Sequence, residues 1–197
     1  IFNVNEAITK LKSGESGIHY IFDPRCAARI KKDLPNTKII LLMRNPIDRA
    51  QSHYNQIHTI DPANDFEHAI ELEQERIGRL QEKIANSKYY TSVEYETYSY
   101  ANRGLYFKQL SIWLKHYKLE ELLIIKSEDM YADPKKVFER VYKHIGVSVN
   151  FPKNTKPQNS REYEPMSDSL RSKLKAFYAE DSKKLVALLG DNFKWND

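Results

Sequence analysis

Two short apolar runs stand out in the pattern of hydrophobic and polar positions along the chain. The first spans residues 37–43 (TKIILLM) and the second spans residues 122–126 (LLIIK). Both are almost continuously apolar, and turn-forming or charged residues flank them. Strands that are buried on both faces of a parallel sheet have this pattern. The two runs therefore predict two buried strands of a parallel sheet.

Apolar residues at three- and four-residue spacings predict helices around these strands. Two helices have a clear start signal, because a polar capping residue precedes a proline at Asn45-Pro46 and at Asp133-Pro134. The other predicted helices cover residues 24–34, 61–88 (as one or two helices), 105–117 and 168–189. Residues 5–12 are predicted as a short helix or loop, and residues 89–104 and 148–166 as loops.

Strands that alternate with helices indicate an α/β fold with a parallel sheet. The helices are concentrated in the C-terminal half of the chain. The 197 residues suit one domain with a sizeable core, and no internal repeat or low-complexity linker divides them. We therefore expect residues 1–197 to form a single domain.

Composition narrows the class of protein. The longest apolar run, residues 39–43, is far too short to cross a bilayer. The one cysteine, Cys26, excludes an internal disulfide framework and indicates a reducing compartment, so a cytoplasmic location is expected. No cysteines and histidines have metal-ligand spacing, and no metal site is expected.

The charge balance is mildly basic, with a net charge of +4 and a pI of about 8.9. A basic excess favours anionic ligands but does not separate nucleotides from sulfated sugars. Nucleic acid is not expected as a partner, because no basic run or nucleic-acid motif accompanies the charge.

Candidate chemistry appears where the first predicted strand meets the next helix. Arg44 follows the strand directly, at the carboxyl end where open α/β sheets bind ligands. Its guanidinium could grip a phosphate, the helix start could offer free N–H groups, and Ser52 could donate its hydroxyl to the same anion. Equally, Arg44 could pair with an acid and Ser52 could simply pack. The residue pattern alone leaves both interpretations open.

Residues 44–54, RNPIDRAQSHY, resemble the 3'-phosphate-binding motif of sulfotransferases that use 3'-phosphoadenosine-5'-phosphosulfate (PAPS), especially the bacterial and heparan-sulfate types. In that family the arginine and the serine eight residues later hold the 3'-phosphate, and Arg44 and Ser52 match them. Residues 104–147 and 163–195 also resemble the family, in the same order. The resemblance implies the sulfotransferase fold, a P-loop-NTPase-like parallel sheet flanked by helices.

The resemblance implies transfer of a sulfuryl group from PAPS to a hydroxyl or amine of a saccharide, lipid or small molecule, with release of PAP. Residues 14–24, GESGIHYIFDP, resemble the family's G-E-K-S/T-P-x-Y-L segment, whose glutamate is the usual base. Glu15 is therefore the candidate base. His19 is a second candidate, because its ordinary pKa lies near neutrality. The chain departs from the motif at Ser16 and Ile18.

Two further segments match parts of the family that surround the ligands. Arg103, Gly104 and Tyr106 correspond to an R-G-x-Y turn beside the cofactor or acceptor, although Tyr106 equally suits the apolar stripe of its helix. Gln109 stands where the glycosaminoglycan enzymes have a histidine, and with Arg103 and Tyr106 it is a candidate for binding the acceptor. Residues 153–166 resemble the C-terminal loop that closes over PAP. Its candidate cofactor-binding residues are Arg161, Tyr163, Ser160 and Asn159.

One part of the family pattern has no counterpart in the sequence. The K-x-G-T-T loop that wraps the 5'-phosphosulfate is not found, so we expect an N-terminally incomplete domain or one that lost this site. A non-catalytic PAP-binding or interaction module is therefore an alternative, and a nucleotide kinase is a third. An N-terminal anchor on a longer protein would imply the Golgi lumen. No sequence pattern indicates the oligomeric state or the identity of the acceptor.

Overall fold

The computed structural model describes residues 12–155 and 164–195. In chain order its elements are α1 (Cys26–Asp33), β1 (Ile39–Met43), α2 (Pro46–Ile57), α3 (Phe66–Asn86), α4 (Val93–Thr97), α5 (Tyr106–Trp113), β2 (Leu122–Lys126), α6 (Ser127–Ala132), α7 (Pro134–Ile145) and α8 (Asp168–Leu189). Short 3-10 turns lie at Asn102–Gly104, Leu119–Glu121 and Asp191–Phe193.

The two strands pair in parallel, with Ile39 opposite Leu122 and Met43 opposite Lys126. The predicted α/β fold with a parallel sheet is confirmed. One expectation about the sheet is wrong in part, because Leu42 is 56% exposed. The side of β1 that carries Leu42 is therefore not fully covered, whereas the alternate residues of this strand are buried.

A first core packs against the covered face of the sheet. Its buried members include Ile39, Leu41 and Met43 of β1, Leu122 and Ile124 of β2, Tyr106, Leu110 and Trp113 of α5, and Leu185 of α8. Burial of a large apolar side chain contributes roughly 1.5–3 kcal/mol, so this core ties the sheet to α5 and α8.

A second core joins α2, α3 and α8 around the segment that precedes α5. Its buried members include Ile47, Tyr54, Phe66, Tyr100, Leu170, Leu174 and Tyr178. Together the two cores fix the start of α2 relative to the start of α5. The candidate site lies between those two helix starts.

Some predicted boundaries are wrong, each for a local reason. The predicted segment 61–88 contains one helix, α3, which begins after the capping side chain of Asp65 and ends at Asn86. Helix α4 lies inside the predicted loop 89–104, where Ser92 accepts from the backbone N–H of Tyr95. Helix α5 ends at Trp113 instead of Tyr117, because the backbone N–H of His116 bonds to Trp113 and tightens the last turn.

Two predicted segments lie partly outside the described residues, namely residues 5–11 and residues 156–163. None of the helices within residues 12–155 and 164–195 is long and apolar enough to cross a membrane.

Candidate functional site

The junction between β1 and α2 is built by the cap residue Asn45. Its side-chain oxygen accepts from the backbone N–H groups of Ile47 and Asp48, at 2.9 and 3.3 Å. Pro46 has no N–H to offer. The expectation of free N–H groups for an anion at this helix start is therefore wrong for these residues. An anion bound here would depend on side chains.

Arg44 emerges from the carboxyl end of β1, and its backbone is held on both sides by one hydroxyl. The Tyr106 hydroxyl lies 3.3 Å from the Arg44 backbone N–H and donates to the Arg44 carbonyl at 2.9 Å. No ion pair within residues 12–155 and 164–195 involves the Arg44 guanidinium. Within those residues, the structure does not support the alternative in which Arg44 pairs with an acid.

Helix α2 carries half-buried Ser52 in its second turn, while its other polar candidates face the protein interior. Arg49 Nη2 donates to the carbonyl of Tyr100 at 2.6 Å, and the His53 ring meets the Tyr100 ring at 5.0 Å. Burial lowers the pKa of His53 to about 3, and the charge of Arg49 adds to this effect. Arg49 and His53 thus fix α2 against the segment before α5.

The turn at Asn102–Gly104, hereafter the 102–104 turn, lies tightly against α2 and α8. A methyl group added at Gly104 would lie 2.8 Å from Pro46 Cβ and 2.8 Å from the Tyr178 side chain. Only glycine fits this approach without a shift of the backbone. The carbonyl of Ala101, just before the turn, accepts from the Tyr178 hydroxyl at 2.9 Å.

Gln109 is buried behind the same turn, at 4% exposure. Its Nε2 donates to the carbonyls of Asn102 and Arg103, at 3.3 and 2.8 Å. Its Oε1 is buried and has no partner in the structure. The structure therefore places Gln109 where it holds the turn's backbone.

Arg103 connects the turn to the segment that carries the two candidate bases. Its Nη1 donates to the Ile18 carbonyl at 3.1 Å, and its Nη2 lies 2.7 Å from His19 Nδ1. The guanidinium also lies 4.7 Å from the centre of the Phe22 ring and bonds to the Glu96 carbonyl. Burial lowers the pKa of Arg103 to about 10, so it remains a cation at neutral pH.

Glu15 is exposed, and the Tyr20 hydroxyl donates a hydrogen bond to its carboxylate. This bond raises the pKa of Tyr20. Gly17 makes the contact sterically possible, because a methyl group at that position would lie 2.7 Å from the Tyr20 ring. Tyr20 lies inside the motif that identified Glu15, but the motif did not assign it a role.

A cavity of about 140 Å³ adjoins this segment, with His19, Tyr20, Tyr95 and Glu96 among its lining residues. Cys26 also lines it, and burial raises the pKa of its thiol. A raised pKa leaves less thiolate at neutral pH, which argues against a nucleophilic role. Because His19 and Tyr20 line the cavity and Tyr20 contacts Glu15, the cavity is a candidate acceptor pocket.

Two relations between the predicted residues are now clear. Tyr106 contacts Arg44, and Arg103 contacts His19, so the R-G-x-Y segment joins the cofactor half of the predicted site to the half with the bases. The candidates Asn159, Ser160, Arg161 and Tyr163 lie outside the described residues.

The model of the sulfotransferase domain family matches residues 27–187. The chain belongs to this family. This match confirms the resemblance found in the motifs. It disfavours the alternative that the chain is a nucleotide kinase.

The sulfotransferase domain also resembles individual proteins along most of its length. A solved sulfotransferase from Alicyclobacillus acidocaldarius is 30% identical, with a TM-score of 0.71 over 89% of this chain and 64% of that one. The membrane-associated sulfotransferase kil1 of Dictyostelium discoideum is 23% identical over 93% of this chain and 53% of its own length. Heparan sulfate glucosamine 3-O-sulfotransferase 6 of Mus musculus is 23% identical over 90% and 54%. The chain spans about half the length of these last two relatives.

Glu73 and Glu128 of the sulfotransferase domain hold backbone N–H groups beside the candidate site, and the sequence analysis missed both. Glu73 is 2% exposed and accepts from the backbone N–H groups of Ala101 and Asn102, at 2.7 and 2.9 Å. Glu128 accepts from the backbone N–H of Asn45 at 2.8 Å. Glu73 lies in a strongly charged helix, where a buried acid has no signal distinct from solvated ones.

The described part of the sulfotransferase domain, residues 12–155 and 164–195, contains no group of three or more His, Cys, Asp or Glu side chains placed to hold a metal ion.

Proposed function

We propose that this sulfotransferase domain transfers a sulfuryl group from PAPS to a hydroxyl or amine of an acceptor and releases PAP. The main support is Arg44, which the strand end and the Tyr106 hydroxyl hold in place and which has no acidic partner within the described residues. A guanidinium in this position suits a phosphate dianion, because it offers paired donors and a permanent charge.

In this proposal Arg44 and Ser52 bind the 3'-phosphate and orient the nucleotide. PAPS supplies the sulfuryl group, which is attacked by the acceptor's oxygen or nitrogen as the bond to PAP breaks. Glu15 accepts the proton that the acceptor loses, and Tyr20 holds the Glu15 carboxylate in one position. Positioning and charge neutralisation are the main contributions that a protein makes to transfers of this type.

Calorimetry with PAP and with AMP, which lacks the 3'-phosphate, tests the role of Arg44. We expect Arg44→Ala to weaken PAP binding about 10- to 150-fold, since a hydrogen-bonded charge contributes about 1.5–3 kcal/mol. Binding of AMP should change little, because the lost contact is to the 3'-phosphate.

Arg79→Ala provides the matched control, because Arg79 is an exposed arginine on α3. Its PAP affinity should equal that of the unmodified chain. Equal losses of PAP and AMP affinity in Arg44→Ala, or no loss at all, would contradict the assignment of the 3'-phosphate to Arg44.

A non-catalytic PAP-binding module is the second candidate, since a phosphate site alone would bind PAP without turnover. Incubation with sulfur-labelled PAPS and a panel of saccharides, lipids and small alcohols separates the two. Labelled product that disappears in Glu15→Gln supports catalysis. PAP binding without product from any acceptor, in a protein that includes the residues upstream of Ile1, supports the binding module.

A further inference from the structure

The hydrogen bond between Arg103 and His19 has a direction that its chemistry dictates. Arg103 Nη2 lies 2.7 Å from His19 Nδ1. A guanidinium has donors only, so Nδ1 must accept. An accepting ring nitrogen carries no proton, and the neutral imidazole then carries its proton on Nε2.

The arginine cannot easily turn away from this contact. Arg103 is 5% exposed, its Nη1 donates to the Ile18 carbonyl at 3.1 Å, and its Nη2 also donates to the Glu96 carbonyl at 2.7 Å. The Phe22 ring covers the guanidinium plane at 4.7 Å. Release of a buried guanidinium from such partners costs several hydrogen bonds, so the donor to His19 is fixed.

From this geometry we infer that Arg103 is a positioning residue that fixes His19 as a neutral Nε2–H donor to an oxygen of the sulfuryl acceptor. The inference rests on the proposed function and gives the two candidate bases different roles. Glu15 takes the acceptor's proton. His19 cannot do so at Nε2, which already carries a proton, or at Nδ1, which Arg103 occupies.

The charges around His19 favour this neutral form. Arg103 faces it from the 102–104 turn, Glu96 from α4 and His53 from α2. Burial lowers the pKa of His19, and Arg103 lowers it further, against a smaller opposing effect of Glu96. The imidazole therefore stays neutral at neutral pH.

The lining of the adjacent cavity indicates the kind of acceptor. Asp23 and Glu96 both line the 140 Å³ cavity that His19 borders. Arg25 also lines it, but its guanidinium already pairs with Asp23 at 2.6 Å. Asp23 and Arg25 cancel as a pair, and the one remaining carboxylate, Glu96, lies near the buried cation Arg103. This nearly balanced charge provides no net attraction for an anionic group, so the cavity suits an uncharged acceptor rich in hydroxyl groups.

Nitrogen-15 spectroscopy of the histidine rings tests the tautomer without any substrate. Long-range ¹H–¹⁵N spectra of the full chain are recorded from pH 8 to pH 6, with His19 assigned from its loss in His19→Gln. We expect a protonated Nε2 and an unprotonated Nδ1 at pH 8, and this neutral form should persist to lower pH than in an exposed histidine. An Nδ1–H tautomer, or an imidazolium already formed at pH 6.5, would overturn the inference.

Arg103→Lys tests the role of the arginine, because lysine keeps the charge but loses the planar set of donors. We expect both tautomers of His19, or protonation at higher pH than in the unmodified chain. An unchanged His19 spectrum in a folded variant would contradict a positioning role for Arg103. If this variant does not fold, the spectra of the unmodified chain still decide the tautomer.

Initial rates with PAPS and the acceptor found in the screen test the function of the donor. His19→Gln keeps an amide N–H near the position of Nε2, whereas His19→Phe keeps only the bulk. We expect the Phe variant to raise the acceptor KM about 3- to 10-fold, because it loses one hydrogen bond to the acceptor. Its affinity for PAP should be unchanged. The acceptor KM of the Gln variant should stay within about 2-fold of the value for the unmodified chain. Its kcat/KM should still fall at acidic pH, as in the unmodified chain.

A Gln variant as impaired as the Phe variant, or one whose kcat/KM no longer falls at acidic pH, would show that His19 is the base. If the unmodified chain binds no PAP, the proposed function fails, and the spectra still test the state of His19 separately.

Discussion

At the scale of single residues, the Tyr106 hydroxyl links a core helix to the candidate phosphate site. Tyr106 is 4% exposed, and burial raises its pKa, so the phenol is neutral at neutral pH and can donate. It donates to the Arg44 carbonyl and lies within reach of the Arg44 N–H. These contacts fix the backbone from which the Arg44 side chain projects.

Tyr106→Phe removes this hydroxyl and leaves two part-buried backbone groups of Arg44 without this partner. We expect the free energy of unfolding to fall by about 1–3 kcal/mol, with a weaker affinity for PAP. Tyr117→Phe is the matched control, because Tyr117 is 3% exposed and its buried hydroxyl has no partner in the structure. Urea unfolding and calorimetry measure both effects. Equal stability of the two variants would show that the Tyr106 contacts contribute nothing.

At the scale of secondary structure, α2 joins the strand end to the second core through residues of different character. Its first turn is capped by Asn45, while Ile47 and Tyr54 enter the core. His53 is enclosed by Arg49, Arg103 and His19, all basic, and by the Tyr100 ring. A proton on His53 would therefore add a buried charge beside the cations Arg49 and Arg103.

His53 should make the stability of the protein depend on pH. Its folded pKa of about 3 lies below the unfolded value near 6.5, so the unfolded chain binds a proton that the folded chain does not. Stability is therefore fully present above pH 6.5 and falls as the pH drops from 6.5 towards 3. The loss is about 1.4 kcal/mol for each pH unit well inside this window.

His53→Phe should reduce this dependence, because the ring remains and the titrating group is gone. Urea unfolding at pH 8, 6.5 and 5 measures it, and the value at pH 8 isolates the effect on packing. The free energy of unfolding should still change with pH to a smaller extent, since burial also lowers the pKa of His19 and His144. A slope equal to that of the unmodified chain would refute the role of His53.

The sequence predicted those elements whose signals are local. Asn45-Pro46 and Asp133-Pro134 mark helix starts with their own side chains, and the strands are compact apolar runs. Helix α4 was missed because Ser92 provides its main signal and its five residues show no periodicity. The contacts of Arg103 with Ile18 and His19 span more than 80 residues, and no local pattern encodes such pairings.

The candidate site was predicted by residue type and order, and not by contacts. Arg44, Glu15 and Arg103 were identified from motifs, whereas Tyr20 and Glu73 were not. To predict the contact of Tyr20, one must know the turn that brings its hydroxyl back to Glu15. To predict the contacts of Glu73, one must know which carboxylate of the charged helix α3 faces inward to the 102–104 turn.

At the scale of the whole molecule, α8 connects parts of the fold that are distant in sequence. Its Arg171 pairs with Asp48 of α2 at 3.1 Å, and its Lys173 pairs with Glu67 of α3 at 2.8 Å. Leu185 enters the core beside the sheet. The ion pairs are exposed and contribute little on their own, so buried contacts must provide most of the attachment.

Asp181 provides one such contact, because it caps a helix other than its own. Helix α5 begins after Leu105, whose side chain cannot accept a hydrogen bond. The Asp181 carboxylate accepts instead from the N–H groups of Phe107 and Lys108, both at 2.9 Å. The negative charge also lies at the positive end of the α5 dipole.

Asp181→Ala should therefore destabilise the fold and weaken the candidate site together. Loss of a capping side chain costs about 0.5–2 kcal/mol, which lowers Tm by about 1–8 °C in a chain of this size. Because α5 carries Tyr106, PAP affinity should fall as well. Glu180→Ala is the control one residue away, since its exposed pair with Lys184 contributes at most about 0.5 kcal/mol. Thermal unfolding and calorimetry on both variants provide the measurement. Stability lost without any change in PAP affinity would show that the α5 start does not position Arg44, and that the two halves of the site are held independently.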